Sequence, residues 1–394
     1  MSAAAAERTA RWRAARHVLL VRLDNLGDLL MTTPALAAVR ATLPQARLTL
    51  LTSPSGAALA PHLAGLDAAI AFDAPWVRSA RTGREEPCPG DEELALVERL
   101  RALRIDAAIV FTVCTQSALP AALLCRLAGI PLRLAHSREN PYDLLTDWAP
   151  ETDVVGDGMR HEVARQLALV CRVGFHTADE RLRFSYEVEH VARLQRALQE
   201  AGLDPLRPYF VVHPGASAAS RRWPAERFGL AAEEIARTSG CAAVFTGDAG
   251  ESDCIEAARA QMGAPSVSLA GRLGLGELGA LIAGAELLLS NNTGPAHLAA
   301  ALDTPVVDLY ALTNPQHTPW KARSRVLNHD VPCRNCLKSQ CPEGHHDCLR
   351  GVAAQEVVRA SLELMGPGPG VPLPMPASIA APWGCRPFVA EAGR

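Results

Sequence analysis

Four stretches of this chain carry residue types at spacings that could do chemistry. The first is Leu289-Ser290-Asn291-Asn292-Thr293-Gly294-Pro295-Ala296-His297. The apolar run over 285–289 reads as a short buried strand, and an Ala/Leu-rich helix follows from about Pro295. Asn292 or Thr293 can cap that helix, and proline at a first helical position forgoes no amide bond. Free N–H groups and the positive end of the helix dipole then lie in a Gly-containing turn, a setting that suits phosphate. The same pattern also serves as a plain structural turn, so its meaning depends on the rest of the chain. The second stretch is Gly27-Asp28, at the end of a strand and the start of a helix. Asp28 there is either an N-terminal capping carboxylate or a general base.

The third is Ser220-Arg221-Arg222-Trp223-Pro224, which follows the strand bearing His213 and the loop Pro214-Gly215-Ala216-Ser217. Two guanidinium groups beside a helix start suit a di- or triphosphate better than a neutral ligand. A solvated surface pair is the alternative. The fourth is Cys333-x2-Cys336-x4-Cys341-x6-Cys348, with His345 and His346 inside it. Four soft ligands this close could hold a structural Zn²⁺ and knit a loop with no core of its own. Buried free thiols, or disulfides disfavoured by a reducing cytoplasm, are the alternatives. Two further matches are expected to carry no chemistry. Gly274-x-Gly276-x-x-Gly279 lacks the acidic residue that a dinucleotide site needs about 20 positions later. His161-Glu162 opens like a zinc-protease helix, but the second histidine is absent.

The elements that must position these residues alternate. Residues 17–23 form an apolar strand, a helix runs to about Leu43, and further strands follow at 47–52, 68–72, 106–111 and 132–135. Helices are expected at 91–104, 116–128 and 159–173, and the Pro/Arg/Gly-rich stretch 74–90 reads as a loop. The pattern restarts at Tyr209, with strands at 209–213, 242–246, 266–269, 285–290 and 306–309. This predicts an α/β protein of two Rossmann-like domains facing across a cleft, each with a mostly parallel sheet. The expected organisation is an N-terminal extension (1–16), a first domain (17–175), a connection (176–208) and a second domain (209–350) containing the Cys-rich loop 333–348. A closing helix (351–365) and a Pro/Gly-rich tail (366–394), expected to be disordered, complete it.

With 394 residues, 48% of them hydrophobic and 21% charged, the chain can bury two sizeable cores. A formal net charge of −3 and an isoelectric point near 6.5 argue against general nucleic-acid binding. No run has the length of a membrane-spanning helix and no signal peptide is apparent, so a cytoplasmic protein is expected, with peripheral contact at the cytoplasmic face of the inner membrane left open. The seven cysteines outside the cluster read as small buried apolar residues.

These residues, taken together, resemble glycosyltransferase family 9, the bacterial lipopolysaccharide heptosyltransferases. The resemblance runs over about residues 17–365. It rests on Gly27-Asp28 with Thr33-Pro34-Ala35-Leu36, His213-Pro214-Gly215-Ala216, Arg221-Arg222-Trp223-Pro224, Thr246-Gly247, Asn292-Thr293-Gly294-Pro295-Ala296-His297 and the Cys-Pro-x-Gly-His-His-x-Cys of 341–348. It implies a glycosyltransferase-B fold and inverting, metal-independent transfer of a sugar from a nucleotide donor, typically ADP-heptose. The implied acceptor is a lipopolysaccharide core or a related cell-surface glycan. Asp28 matches the family's base, and Arg221 a basic position, usually Lys, that faces the donor phosphates. Thr293 and Gly294 match the diphosphate-binding turn, Asn292 stands where many members carry Asp near the donor sugar, and Ser217 and His297 join the expected binding set. A non-catalytic nucleotide-sugar or glycan binding protein, and an NAD-dependent oxidoreductase, are the rival functions.

Overall fold

The computed structural model describes residues 3–77, 90–156, 158–366 and 389–390. Most of the loop expected at 74–90 and of the tail expected at 366–394 lies outside these residues. The chain divides into two compact units. The first comprises residues 1–154, 162–180 and 381–394, and the second 155–161 and 181–380.

In the first unit, α1 (Ala3–Arg13) precedes β1 (His17–Arg22), α2 (Leu26–Thr42), β2 (Arg47–Thr52), α3 (Pro54–Leu59), β3 (Ala68–Ala71), α4 (Asp91–Ala102), β4 (Ala107–Val110), α5 (Leu119–Leu127), β5 (Leu132–Ser137), β6 (Asp147–Pro150) and α6 (Glu162–Cys171). The strands pair in the order β3-β2-β1-β4-β5-β6, all parallel, with Val389–Ala390 beside β3. β1 is buried along its whole length. Helices on both faces of a parallel sheet explain why it is a nearly unbroken apolar run.

The second unit contains α7 (Val188–Glu200), β7 (Tyr209–His213), α8 (Ala225–Ser239), β8 (Ala242–Phe245), α9 (Ser252–Arg259), β9 (Ser266–Ser268), α10 (Leu275–Ala283), β10 (Leu288–Asn291), α11 (Gly294–Ala301), β11 (Val306–Leu309), β12 (Ser324–Leu327), α12 (Asp347–Arg350) and α13 (Ala354–Met365). Its parallel sheet runs β9-β8-β7-β10-β11-β12, the same permutation as in the first unit. In both, the order reverses beside the first strand. Loops leaving the carboxyl ends of the strands on either side of such a reversal splay apart and leave a crevice, where ligands of this fold bind.

The core on one side of the second sheet gathers Phe210, Phe245, Leu289 and Val307 with Trp223 and Phe228, whose rings meet edge to face at 4.9 Å. The Gly274-x-Gly276-x-x-Gly279 run is a packing device. A Cβ on Gly276 would stand 2.3 Å from the His190 ring of α7, and one on Gly279 would stand 2.2 Å from the Phe184 ring. These glycines let α10 approach its neighbours closely.

Candidate active site

In the second unit the crevice lies between the ends of β7 and β10, and Asn291 organises it. This fully buried amide donates from Nδ2 to the carbonyl of Pro214 at 2.7 Å and accepts from Trp223 N at 3.0 Å. One side chain thereby ties the loop after β7, the turn carrying Arg221 and the end of β10. Ser217 is exposed on the first of these loops. Ser220 is held from the other side, donating from Oγ to Lys338 O at 2.8 Å and from its backbone N to Ser339 O at 3.1 Å. Gly215 lets the Glu251 carboxylate pack against the backbone; a Cβ there would stand 1.9 Å from its Oε1 and push that side chain aside.

Thr293 occupies the N-cap of α11 in extended backbone, with Gly294 as the first helical residue. Its hydroxyl donates back to Asn291 O at 3.2 Å, and no side chain caps the helix. The N–H groups in the first turn of α11 therefore have no side-chain cap. Asn292 donates from Nδ2 to Asp308 Oδ2 at 3.0 Å and to His317 O at 2.9 Å.

The Arg221 guanidinium lies close enough to this helix to act on His297. Among the described residues, no side chain or carbonyl pairs with the Arg221 guanidinium. His297, one turn into α11, is buried with no partner on Nδ1, and its pKa falls to about 3. Burial is the main cause, and His317, His161 and Arg221 all add to it. His213 at the end of β7 is likewise driven down to about 4 by burial, so its 3.9 Å approach to Glu251 is not an ion pair at neutral pH. Asp308, fully buried, is pushed up to about 7 by burial, which its bond from Asn292 only partly offsets.

In the first unit, Asp28 stands third in α2 and serves as a cap after all: its Oδ2 accepts from Asn25 N at 3.2 Å in a reciprocal capping box. The carboxylate also lies 3.6 Å from Arg22 Nη2. Arg22 is wholly buried and pairs with Asp24 at 2.9 Å and Glu162 at 2.9 Å. Burial opposes its charge, but Asp24, Glu162 and Asp28 outweigh that and hold the guanidinium protonated. Asp24 rises to about 6, chiefly through burial, although Arg22 and a 2.6 Å bond from Gln116 pull it down. That bond joins the ends of β1 and β4 on the wall of a pocket of about 330 Å³, which Trp76, Thr112, Thr115 and Ser117 also line. Arg165, paired with Glu151, closes the network around Glu162. Sequence reasoning missed Arg22, Asp24, Glu162 and Arg165. Charged residues inside apolar or amphipathic segments were the available signal.

The four clustered cysteines are free thiols, Cys333, Cys336 and Cys341 on the loop before α12 and Cys348 within that helix. Cys333 Sγ stands 3.8 Å from His345 Nε2, and Cys348 is raised by burial, with the other three thiols adding to it. Among the described residues, no three His, Cys, Asp or Glu side chains stand close enough to share a metal ion. What the loop does visibly is hold Ser220, next to Arg221.

Residues 93–346 match the model of glycosyltransferase family 9 (heptosyltransferase). The chain belongs to that family. It is therefore a glycosyltransferase, and the resemblance read from its motifs is borne out. Lipopolysaccharide heptosyltransferase 1 of Pseudomonas aeruginosa is 35% identical over 144 residues, 36% of this chain and 40% of that protein, so the match spans less than half of that relative. Lipopolysaccharide heptosyltransferase 3 of Escherichia coli is 25% identical over 312 residues, 76% of this chain and 84% of that protein. In fold, the chain is like the solved structure of E. coli ADP-heptose lipopolysaccharide heptosyltransferase II, with a TM-score of 0.67 at 24% identity, covering 89% of this chain and 98% of that one. The glycosyltransferase-B architecture is thus that of this family 9 chain.

Proposed function

We propose that this chain moves a heptose from ADP-heptose onto a lipopolysaccharide core or a related cell-surface glycan, by a metal-independent, inverting displacement. The observation that carries the donor half is the Arg221 guanidinium, unpaired among the described residues, beside a helix start that no side chain caps. The names of the family and of its solved relative support the sugar and the nucleotide.

In the displacement, an acceptor hydroxyl oxygen bonds to the anomeric carbon as the bond from that carbon to the diphosphate breaks. The hydroxyl proton passes to Asp28, and the electron pair of the broken bond leaves with ADP. Negative charge grows on the leaving phosphate, where Arg221 and the amides at Thr293 and Gly294 can meet it in place and without reorganisation. Ser217 and His297 complete the wall of the donor site, and Asn292 meets the sugar. Acceptor binding falls to the first unit, where the pocket beside Asp24 offers hydroxyl and amide groups and the Trp76 ring. On this reading the chain works in the cytoplasm and touches the inner membrane through its glycolipid acceptor. Among the described residues no helix is long and apolar enough to cross a membrane.

The test is transfer itself. Purified chain given ADP-heptose and heptose-free core oligosaccharide should release ADP and add one heptose to the acceptor, with chelator present, and the product linkage should be of opposite anomeric configuration to the donor. Release of ADP from a different nucleotide sugar alone, or retention of configuration, sinks the reading.

A further inference from the structure

Asp308 is an odd residue to find where it lies. It sits in the run Val306-Val307-Asp308-Leu309, a strand buried along its length, and its own side chain is fully buried. One oxygen, Oδ1, bonds nothing. A carboxylate so placed costs stability that an apolar residue would not, and its raised affinity for a proton, near pH 7, records that cost. Its other oxygen takes one hydrogen of the Asn292 amide, and the His317 carbonyl takes the second. Both donors of Nδ2 are thereby committed, which fixes the orientation of the amide. The Asn292 Oδ1 accepts no bond among the described residues and is not among the atoms buried without a partner. It is the one polar atom of the side chain still able to take a bond.

We propose that Asp308 and the His317 carbonyl lock the Asn292 amide so that its Oδ1 alone is offered to a hydroxyl of the donor sugar. The inference rests on the donor-site reading above and adds a selectivity to it. In its ionised form the carboxylate behind the amide polarises it and strengthens the carbonyl in front. The pair thus presents the acceptor of a carboxylate without its charge at the surface, because the charge is withdrawn one side chain deeper, onto β11. Such a site accepts a sugar that donates a hydroxyl there. It disfavours one bearing a carboxylate or lacking the hydroxyl, since neither can fill the oxygen.

The test is calorimetry on the full chain with two probes, ADP and ADP-heptose, so that the gain from the sugar is read apart from the nucleotide. Asn292→Leu should cut that gain about tenfold, as expected for one hydrogen bond to a polarised acceptor. Asp308→Asn keeps the shape and removes the charge, and should cut it about threefold by the same scale. Affinity for ADP should stay within about twofold of the parent in both, a change too small to signal a lost contact. A gain unchanged in both variants, or a parallel loss of ADP affinity, overturns the lock. Should Asp308→Asn fail to fold, Asn292→Leu alone decides. Parent protein that binds ADP but gains nothing from the sugar overturns this inference only, whereas parent protein that binds no ADP overturns the donor site beneath it.

Discussion

The two units repeat one strand order and use it for opposite electrostatic ends. At the end of β1, Arg22 is shared among Asp24, Glu162 and Asp28, and Arg165 is shared between Glu151 and Glu162. Each cation there is paired inside the protein. At the end of β10, Arg221 has no partner among the described residues, and the buried His297 Nδ1 and Asp308 Oδ1 are unmatched. The first arrangement holds a carboxylate in a fixed place and can take a proton. The second leaves one cation and two buried polar atoms without protein partners among the described residues.

The comparison breaks first at Asp28. Asp28→Ala should lower transfer about 10²- to 10⁴-fold, the usual contribution of a general base, with ADP affinity kept. Turnover near the parent's would remove the base from the first unit. Next, Arg22→Met strands the buried Glu162 and Asp24 carboxylates and should cost about 3–5 kcal/mol in urea unfolding, as breaking a buried pair does. Arg221→Ala should instead leave unfolding within about 0.5 kcal/mol, as a substitution outside the core does, while ADP affinity drops about tenfold or more, the loss of a charge-assisted contact. Equal stability costs at Arg22 and Arg221 would erase the contrast. Gly276→Ala drives a Cβ toward the His190 ring and should destabilise by about 1–3 kcal/mol, typical of overpacking, without changing nucleotide affinity. A selective loss of nucleotide binding there would return that glycine run to function.

A further expected effect is on pH dependence. Asp308 has its proton affinity raised from 3.8 unfolded to about 7 folded. Its contribution to stability is therefore fully present below 3.8 and is lost as pH rises through about 7. Relative to Asp308→Asn, the parent should gain stability as pH falls across that window. Parallel stability curves for the two proteins would show that Asp308 does not titrate there.

The fold was legible because both sheets are buried on both faces, so most strands announce themselves as short apolar runs. The strands that escaped lie at sheet edges. β6 contains Asp147 and Pro150, and β12 is half-exposed, so neither has an apolar signature. The turn before α11 was legible through Thr293, Gly294 and Pro295, since a turn's backbone chemistry is local. The buried network around Arg22 was not, because Glu162 lies 140 positions away and only the folded chain joins them. For the same reason Asn292 read as a departure from its family, until Asp308 stood behind it, 16 positions on.

The edge strand β6 has a consequence for handling the protein. The side chains of α1 are fastened to it: Trp12 donates from Nε1 to Asp147 Oδ2 at 3.0 Å, Arg8 pairs with Asp147 Oδ1 at 3.1 Å, and Trp12 is fully buried with its ring edge-on to Phe175. Removing the first 13 residues would bare Phe175 and leave the outer edge of the sheet without its clasp. Such exposed edges recruit strands from other molecules. A shortened chain is therefore expected to self-associate at concentrations where the parent stays dispersed, and light scattering of the two preparations side by side reads that difference directly.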